Sequence, residues 1–161
     1  MTTRIVLAAA LALALVGGIV AVPQDPMNEK KEHIFVTPDD IKCGDGPTSL
    51  PPGAKAAVIE GSPKEAGAFT MRLKLPAGYK VPPHWHPADE HVTVLSGCFN
   101  MGLGDAYDES KGKKLPAGSF AVMPTKTNHF AFVKEETVIQ LHGMGPWGIN
   151  YVNPADDPRK K

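Results

Sequence analysis

Two histidines one residue apart, His84 and His86, are followed by a carboxylate at Glu90, and a further imidazole, His129, opens a separate apolar run. In an extended strand, residues two apart share a face, so His84 and His86 point the same way. Pro87 then turns the chain, and Glu90 leads into Val92 and Val94. Two imidazoles from one strand, a carboxylate from the next and an imidazole from a distant strand form a donor set for one divalent transition metal. The imidazoles supply borderline-soft nitrogen, and the carboxylate offsets part of the metal charge. Four such ligands on one side of an octahedron leave about two positions for water, substrate or dioxygen. Fe, Mn, Ni, Cu and Zn all suit three nitrogens and one oxygen. A single histidine in a strand is usually an ordinary surface or core residue; the spacing is what sets these apart.

The elements that would position such a site are short. Residues 33–36, 56–60, 70–75, 91–101, 119–123, 129–133, 137–142 and 149–152 read as strands, separated by Gly- and Pro-rich punctuation such as Pro76-Ala77-Gly78 and Pro116-Ala117-Gly118. Met71-Arg72-Leu73-Lys74-Leu75 alternates with period two, as a strand with one buried face does. No stretch carries a helical stripe, and residues 105–114 read as a loop or one short turn. With 16 Gly and 16 Pro in 161 residues, the fold class is all-β, a sandwich or barrel. The repeated Pro-Ala-Gly phrase hints at two related halves.

The same residues carry a resemblance to the cupin superfamily. Its first motif, approximately G-x5-H-x-H-x3or4-E-x6-G, is matched by Gly78, His84, His86, Glu90 and Gly97 without a mismatch. Its second, approximately G-x5-P-x-G-x2-H-x3-N, is matched at Gly118, Pro124 and His129, with Lys126 in the second glycine position and Val133 in the asparagine position. Lys126 bears on the tight turn and Val133 removes a polar group; neither removes a metal ligand. The resemblance implies a single-domain cupin jelly-roll β-barrel over residues 33–153, with a metal inside its mouth held by His84, His86, Glu90 and His129. It also implies a homodimer formed through outer sheet surfaces. The family allows either Glu90 or His91 as third ligand. Glu90 keeps the distance to Gly97 and shares parity with Val92 and Val94, so His91 is expected to face outward.

Around this centre, Gln140 and His142 alternate with Ile139 and Leu141, and the polar pair are candidates for the substrate pocket. Asp89 reads as a turn residue, and Trp85 as packing away from the two histidines. Phe130 and Phe132, opposite in parity to His129, read as packing outside the site. Tyr79 and Lys80 read as solvated residues near the mouth. Cys43 and Cys98 are the only thiols. In an exported chain they are expected to form a disulfide, which would stabilise by about 4 kcal/mol, the alternative being two unpaired thiols.

Export is suggested by the first 22 residues. Arg4 precedes an unbroken apolar run from Ile5 to Val16, and small residues follow, the pattern of a secretory signal peptide. Ala21 suits a cleavage site better than Ile19 does, and 5–22 is also just long enough to be an uncleaved membrane anchor. The expected organisation is a signal or anchor over 1–22, a flexible leader over 23–32, the barrel over 33–153 and a C-terminal tail over 154–161. The mature protein would be periplasmic or secreted, without stable membrane insertion, or membrane-anchored if uncleaved. The 17 basic and 17 acidic side chains balance, which removes the electrostatic basis for nucleic-acid binding. There is no G-x-S-x-G, H-E-x-x-H or P-loop. The reading is an exported mononuclear metal-binding cupin, a metal-dependent dioxygenase or related oxidoreductase on a small oxygen-rich substrate. Glu90 would be ligand first, and general base if it leaves the metal. A metal-dependent lyase or isomerase, or a non-catalytic small-molecule-binding cupin, are the alternatives.

Overall fold

A computed structural model describes residues 33–161; the expected signal or anchor segment and the leader lie outside the described residues. Among the described residues, alternating side chains build eleven strands. They are β1 (Gly44–Asp45), β2 (Lys55–Glu60), β3 (Gly67–Leu75), β4 (Lys80–Trp85), β5 (Glu90–Ser96) and β6 (Cys98–Leu103). β7 (Lys113–Pro116), β8 (Phe120–Met123), β9 (His129–Val133), β10 (Thr137–Gly145) and β11 (Asn150–Tyr151) complete the set. The first sheet has the order β1-β2-β3-β10-β5-β8 and the second β11-β4-β9-β6-β7. All their pairings are antiparallel. Leu73 and Leu75 of β3, Val92 of β5 and Ile139 of β10 meet Phe99 of β6 and Ala131 of β9 in one core. This is the all-β jelly-roll that the patterning and the resemblance imply. Among the described residues, the only helical elements are four three-residue 3-10 turns.

Besides β1 and β4, which the strand reading omits, three details depart from it. Residues 33–36 form no strand. The apolar run 91–101 is two strands in different sheets, broken at Gly97. Strand β7 falls at the end of a stretch read as a loop. The tail over 154–161 folds back, with Arg159 donating to both Asp157 carboxylate oxygens at 2.7 and 2.8 Å and to the Ile149 carbonyl at 3.2 Å.

The chain changes sheets at positions that the motif glycines occupy. Gly78 (φ +78°) joins β3 to β4, and Gly118 (φ +86°) joins β7 to β8. Each sits third in a four-residue turn, closed by Tyr79 N–H to the Pro76 carbonyl at 3.1 Å and by Ser119 N–H to the Pro116 carbonyl at 3.0 Å. A positive φ at that place is what a type II turn requires, so the repeated Pro-Ala-Gly is the same corner made twice. A third corner, Pro124–Thr127, joins β8 to β9 and is closed by Thr127 N–H to the Pro124 carbonyl at 3.1 Å. Here Lys126 takes the left-handed position, at φ +60°. A side chain in that region costs about 1–2 kcal/mol, partly offset because lysine loses less backbone freedom on folding than glycine does. Lys126→Gly is therefore expected to leave the fold intact and to raise the midpoint of thermal unfolding by about 2–4 °C, read by calorimetry.

A second, smaller packing unit lies on the outside of the five-stranded sheet. Phe130, fully buried, and Phe132 point away from the main core and are covered by Tyr107, at ring distances of 5.1 and 6.2 Å. Gly102 of β6 lies directly opposite Phe130, where a Cβ would fall 2.1 Å from the phenyl ring.

Candidate metal centre

Strand β4 would not present His84 inward if it ran without interruption. Val81 pairs with Ala131, and His84 with His129, so three steps along β4 match two along β9. The extra residue falls at Pro82-Pro83, where the missing N–H groups make a regular ladder impossible. This bulge reverses the parity of the strand, so that Val81 before it and His84 after it both face the interior. His86 follows the end of β4, Glu90 starts β5 and His129 starts β9.

The loop between His86 and Glu90 is clamped by the third corner. Lys126 N–H donates to the His86 carbonyl at 2.9 Å, Thr125 N–H to Asp89 Oδ1 at 2.7 Å, and the Thr125 hydroxyl to the Pro87 carbonyl at 2.9 Å. Asp89 thus has the turn role expected of it. The turn carrying the second motif's departure is also the one that fixes a ligand of the first.

His84, His86 and His129 are buried, with nitrogen atoms within 4.8 Å of one another. Each Nδ1 lies against a backbone carbonyl: His84 on Pro82 at 2.7 Å, His86 on Gly148 at 2.8 Å and His129 on Thr127 at 2.9 Å. A carbonyl only accepts, so all three Nδ1 atoms carry the proton. The Nε2 lone pairs are left for the interior. Those of His86 and His129 are buried without a hydrogen-bond partner. Glu90, 7% exposed, brings Oε1 to 3.5 Å from His86 Nε2 and Oε2 to 3.4 Å from His129 Nε2.

Burial, reinforced by the neighbouring imidazoles His129 and His86, pushes His84 down to about 3. Burial also lowers His86, against the attraction of Glu90. For Glu90, burial alone would raise the carboxyl, but His129, His86 and His84 outweigh it and hold it below the ordinary value. That pull on Glu90 requires positive charge at the Nε2 ends, which a second imidazole proton or a bound cation supplies; with Nδ1 already protonated and burial disfavouring the imidazolium, the set matches the donors of a mononuclear transition-metal site.

The donors are part of the lining of a cavity of about 60 Å³. At about 15 Å³ per water, that is room for roughly four waters or one small ligand. Its wall is apolar, with Leu73, Phe99, Ile139 and Leu141 from the two sheets. Trp147 and, from the strap over residues 47–50, Pro47, Ser49 and Leu50 also line the cavity, and neither is marked by any local motif. Trp147 stacks on His86 at 4.3 Å between ring centres. Hydrogen bonds from Tyr79 Oη to the Pro51 carbonyl and from Tyr151 Oη to the Ser49 carbonyl (2.8 Å) hold the strap. Tyr79 is thus buried rather than solvated, while Lys80 pairs with Glu109 at 2.8 Å.

Other expectations are corrected. Gln140 and His142 face away from the cavity, because Ile139 and Leu141 of the same strand line it. Gln140 instead accepts from Arg72 Nη2 at 3.0 Å, and His142 stacks on the outward-facing His91 at 5.0 Å. Cys43 and Cys98 form no disulfide: Cys43 is exposed before β1, whereas Cys98 begins β6 in the other sheet.

Comparison with known proteins agrees with the fold. Residues 31–148 match the ChrR Cupin-like domain family. A candidate acetylacetone dioxygenase from Methylibium petroleiphilum PM1 superposes with a TM-score of 0.62 at 19% identity, covering 82% of this chain and 89% of that one. The polyketide cyclase RemF from Streptomyces resistomycificus gives 0.60 at 16% identity, over 80% and 92%. KdgF from Halomonas sp. gives 0.53 at 20% identity, over 71% and 96%. No curated protein is significantly similar to the chain. The matched domain spans both motifs and all four converging side chains, and the chain belongs to the ChrR cupin-like family of the cupin superfamily.

Proposed function

We propose that the chain is an exported mononuclear metal-binding cupin whose site performs oxidative chemistry on a small substrate with two metal-binding oxygens. The observation that carries this is the convergence of three Nε2 lone pairs and a carboxylate in a buried cavity, each Nδ1 being held by a backbone carbonyl. His84, His86, His129 and Glu90 would hold one divalent transition metal. When bound, the metal supplies a Lewis-acidic, redox-capable centre that can hold substrate and dioxygen together. The chain supplies the rest. Carbonyls orient the imidazoles, apolar side chains exclude bulk water, and Trp147 packs flat on the His86 ring. Glu90 can take a substrate proton at a carboxylate oxygen.

An oxidative role is favoured over a lyase or isomerase one by the wall itself. Among the described residues, beyond the four donors it contains no acid or base, only the Ser49 hydroxyl and the Trp147 indole as polar side chains, and dedicated proton transfer needs a placed acid–base group. Export rests on the signal-like residues 1–22. The test is elemental analysis of protein taken from the compartment where it accumulates, followed by oxygen-uptake assays with small β-diketones and catechols. About one transition metal per chain is expected, with oxygen consumed in step with substrate. Turnover without oxygen uptake would move the assignment to a lyase or isomerase.

A further inference from the structure

We propose that the cavity selects ligands that chelate through two oxygens as a monoanion and are otherwise apolar and uncharged. This rests on the metal-binding reading above and names the ligand class of that site. Among the described residues, no lysine or arginine lines the cavity. The strand cations nearest in sequence to the wall are turned outward: Arg72, between Met71 and Leu73, donates to Gln140, Lys74, between Leu73 and Leu75, pairs with Glu136, and Lys80 pairs with Glu109. Beyond the donors, the wall offers one hydroxyl, on Ser49, and one indole N–H, on Trp147, which is buried without an acceptor.

The charges then decide which ligands fit. Three neutral imidazoles, one carboxylate and a divalent cation sum to a single positive charge. A chelating monoanion neutralises it. A second negative charge on the ligand would lie among Leu73, Phe99, Ile139 and Leu141 with no cation to pair with, and an unpaired buried charge is strongly disfavoured. A polyhydroxylated ligand would leave most of its hydroxyls without partners. The cavity of about 60 Å³ confines the apolar body to a few carbons.

Butyrohydroxamic acid and succinic monohydroxamic acid test the idea, because they share chain length and chelating head and differ in a terminal methyl against a terminal carboxylate. Each is titrated into the cobalt(II)-loaded full chain, and affinity is read from the visible absorption bands of the cobalt. The expected result is that the butyro compound binds at least about thirtyfold more tightly. Equal affinities, or tighter binding of the succinate compound, would overturn the proposal while leaving the metal site standing. Failure of the protein to take up cobalt would overturn the metal-site reading itself, and the proposal with it.

Discussion

The His86→Ala/His129→Ala protein is expected to carry less than about a tenth of a metal ion per chain, against about one for the parent. The two substitutions remove imidazoles from β4's extension and from β9, leaving His84 and Glu90 too few donors for a transition metal. A second readout separates loss of metal from loss of fold. A ligand that binds only the folded state stabilises it by about 2.7 kcal/mol at a hundredfold excess over its dissociation constant. Added zinc or cobalt should therefore raise the unfolding midpoint of the parent by roughly 5–15 °C and leave the double variant unmoved. The metal-free double variant should still unfold cooperatively. Its lost imidazoles include two Nε2 atoms that are buried without partners, so their removal relieves an unfavourable arrangement as well as opening space. Full metal content in the double variant would refute the ligand assignment.

Phe130→Ala is expected to be among the most destabilising single substitutions in the barrel, at about 3–5 kcal/mol, or roughly 10–20 °C in the unfolding midpoint. Phe130 is completely buried, yet it lies outside the main core, between β6 and the loop carrying Tyr107. The ring lies apart from the central core cluster, so the space it leaves cannot be filled by collapse of that packing. Gly102→Ala should also be severe in the parent, since its Cβ would meet the Phe130 ring at 2.1 Å. In the Phe130→Ala background the same change should be tolerated. The shortfall from additivity, measured by denaturant unfolding of the four proteins, reports this contact directly. Additive effects would show that the two residues do not share the space.

What could be read from the sequence was what local spacing determines. The histidines, Glu90 and the glycines of the motifs are separated by fixed counts, and a strand converts counts into faces. Counting parity also placed Phe130 outside the site and favoured Glu90 over His91. The same method left Gln140 and His142 undecided. An alternating strand offers two faces, and nothing local says which of them meets a cavity whose wall turns out to be apolar. Trp147 and the strap at Ser49 and Leu50 went unnoticed because they reach the site only through sheet closure. Leu50 lies 34 residues before His84, the nearest ligand in sequence, and Trp147 stacks on His86 from 61 residues away. The disulfide expectation failed for a related reason: compartment chemistry says whether two thiols could bond, while sheet membership decides whether they meet. Lys126 shows the converse. A departure from the motif changed the residue and left the backbone conformation in place.

The irregularity at Pro82-Pro83 makes β4 a strand of two phases, one set by Val81 and the other by His84. Between them the two prolines act as a spacer: their missing N–H groups keep the ladder open there, and their number sets the shift in phase. Removing either one would force a choice: keep Val81 indoors and rotate the imidazole into water, or keep the imidazole and expel the valine. This stretch can therefore exchange side chains over evolutionary time far more readily than it can gain or lose a residue.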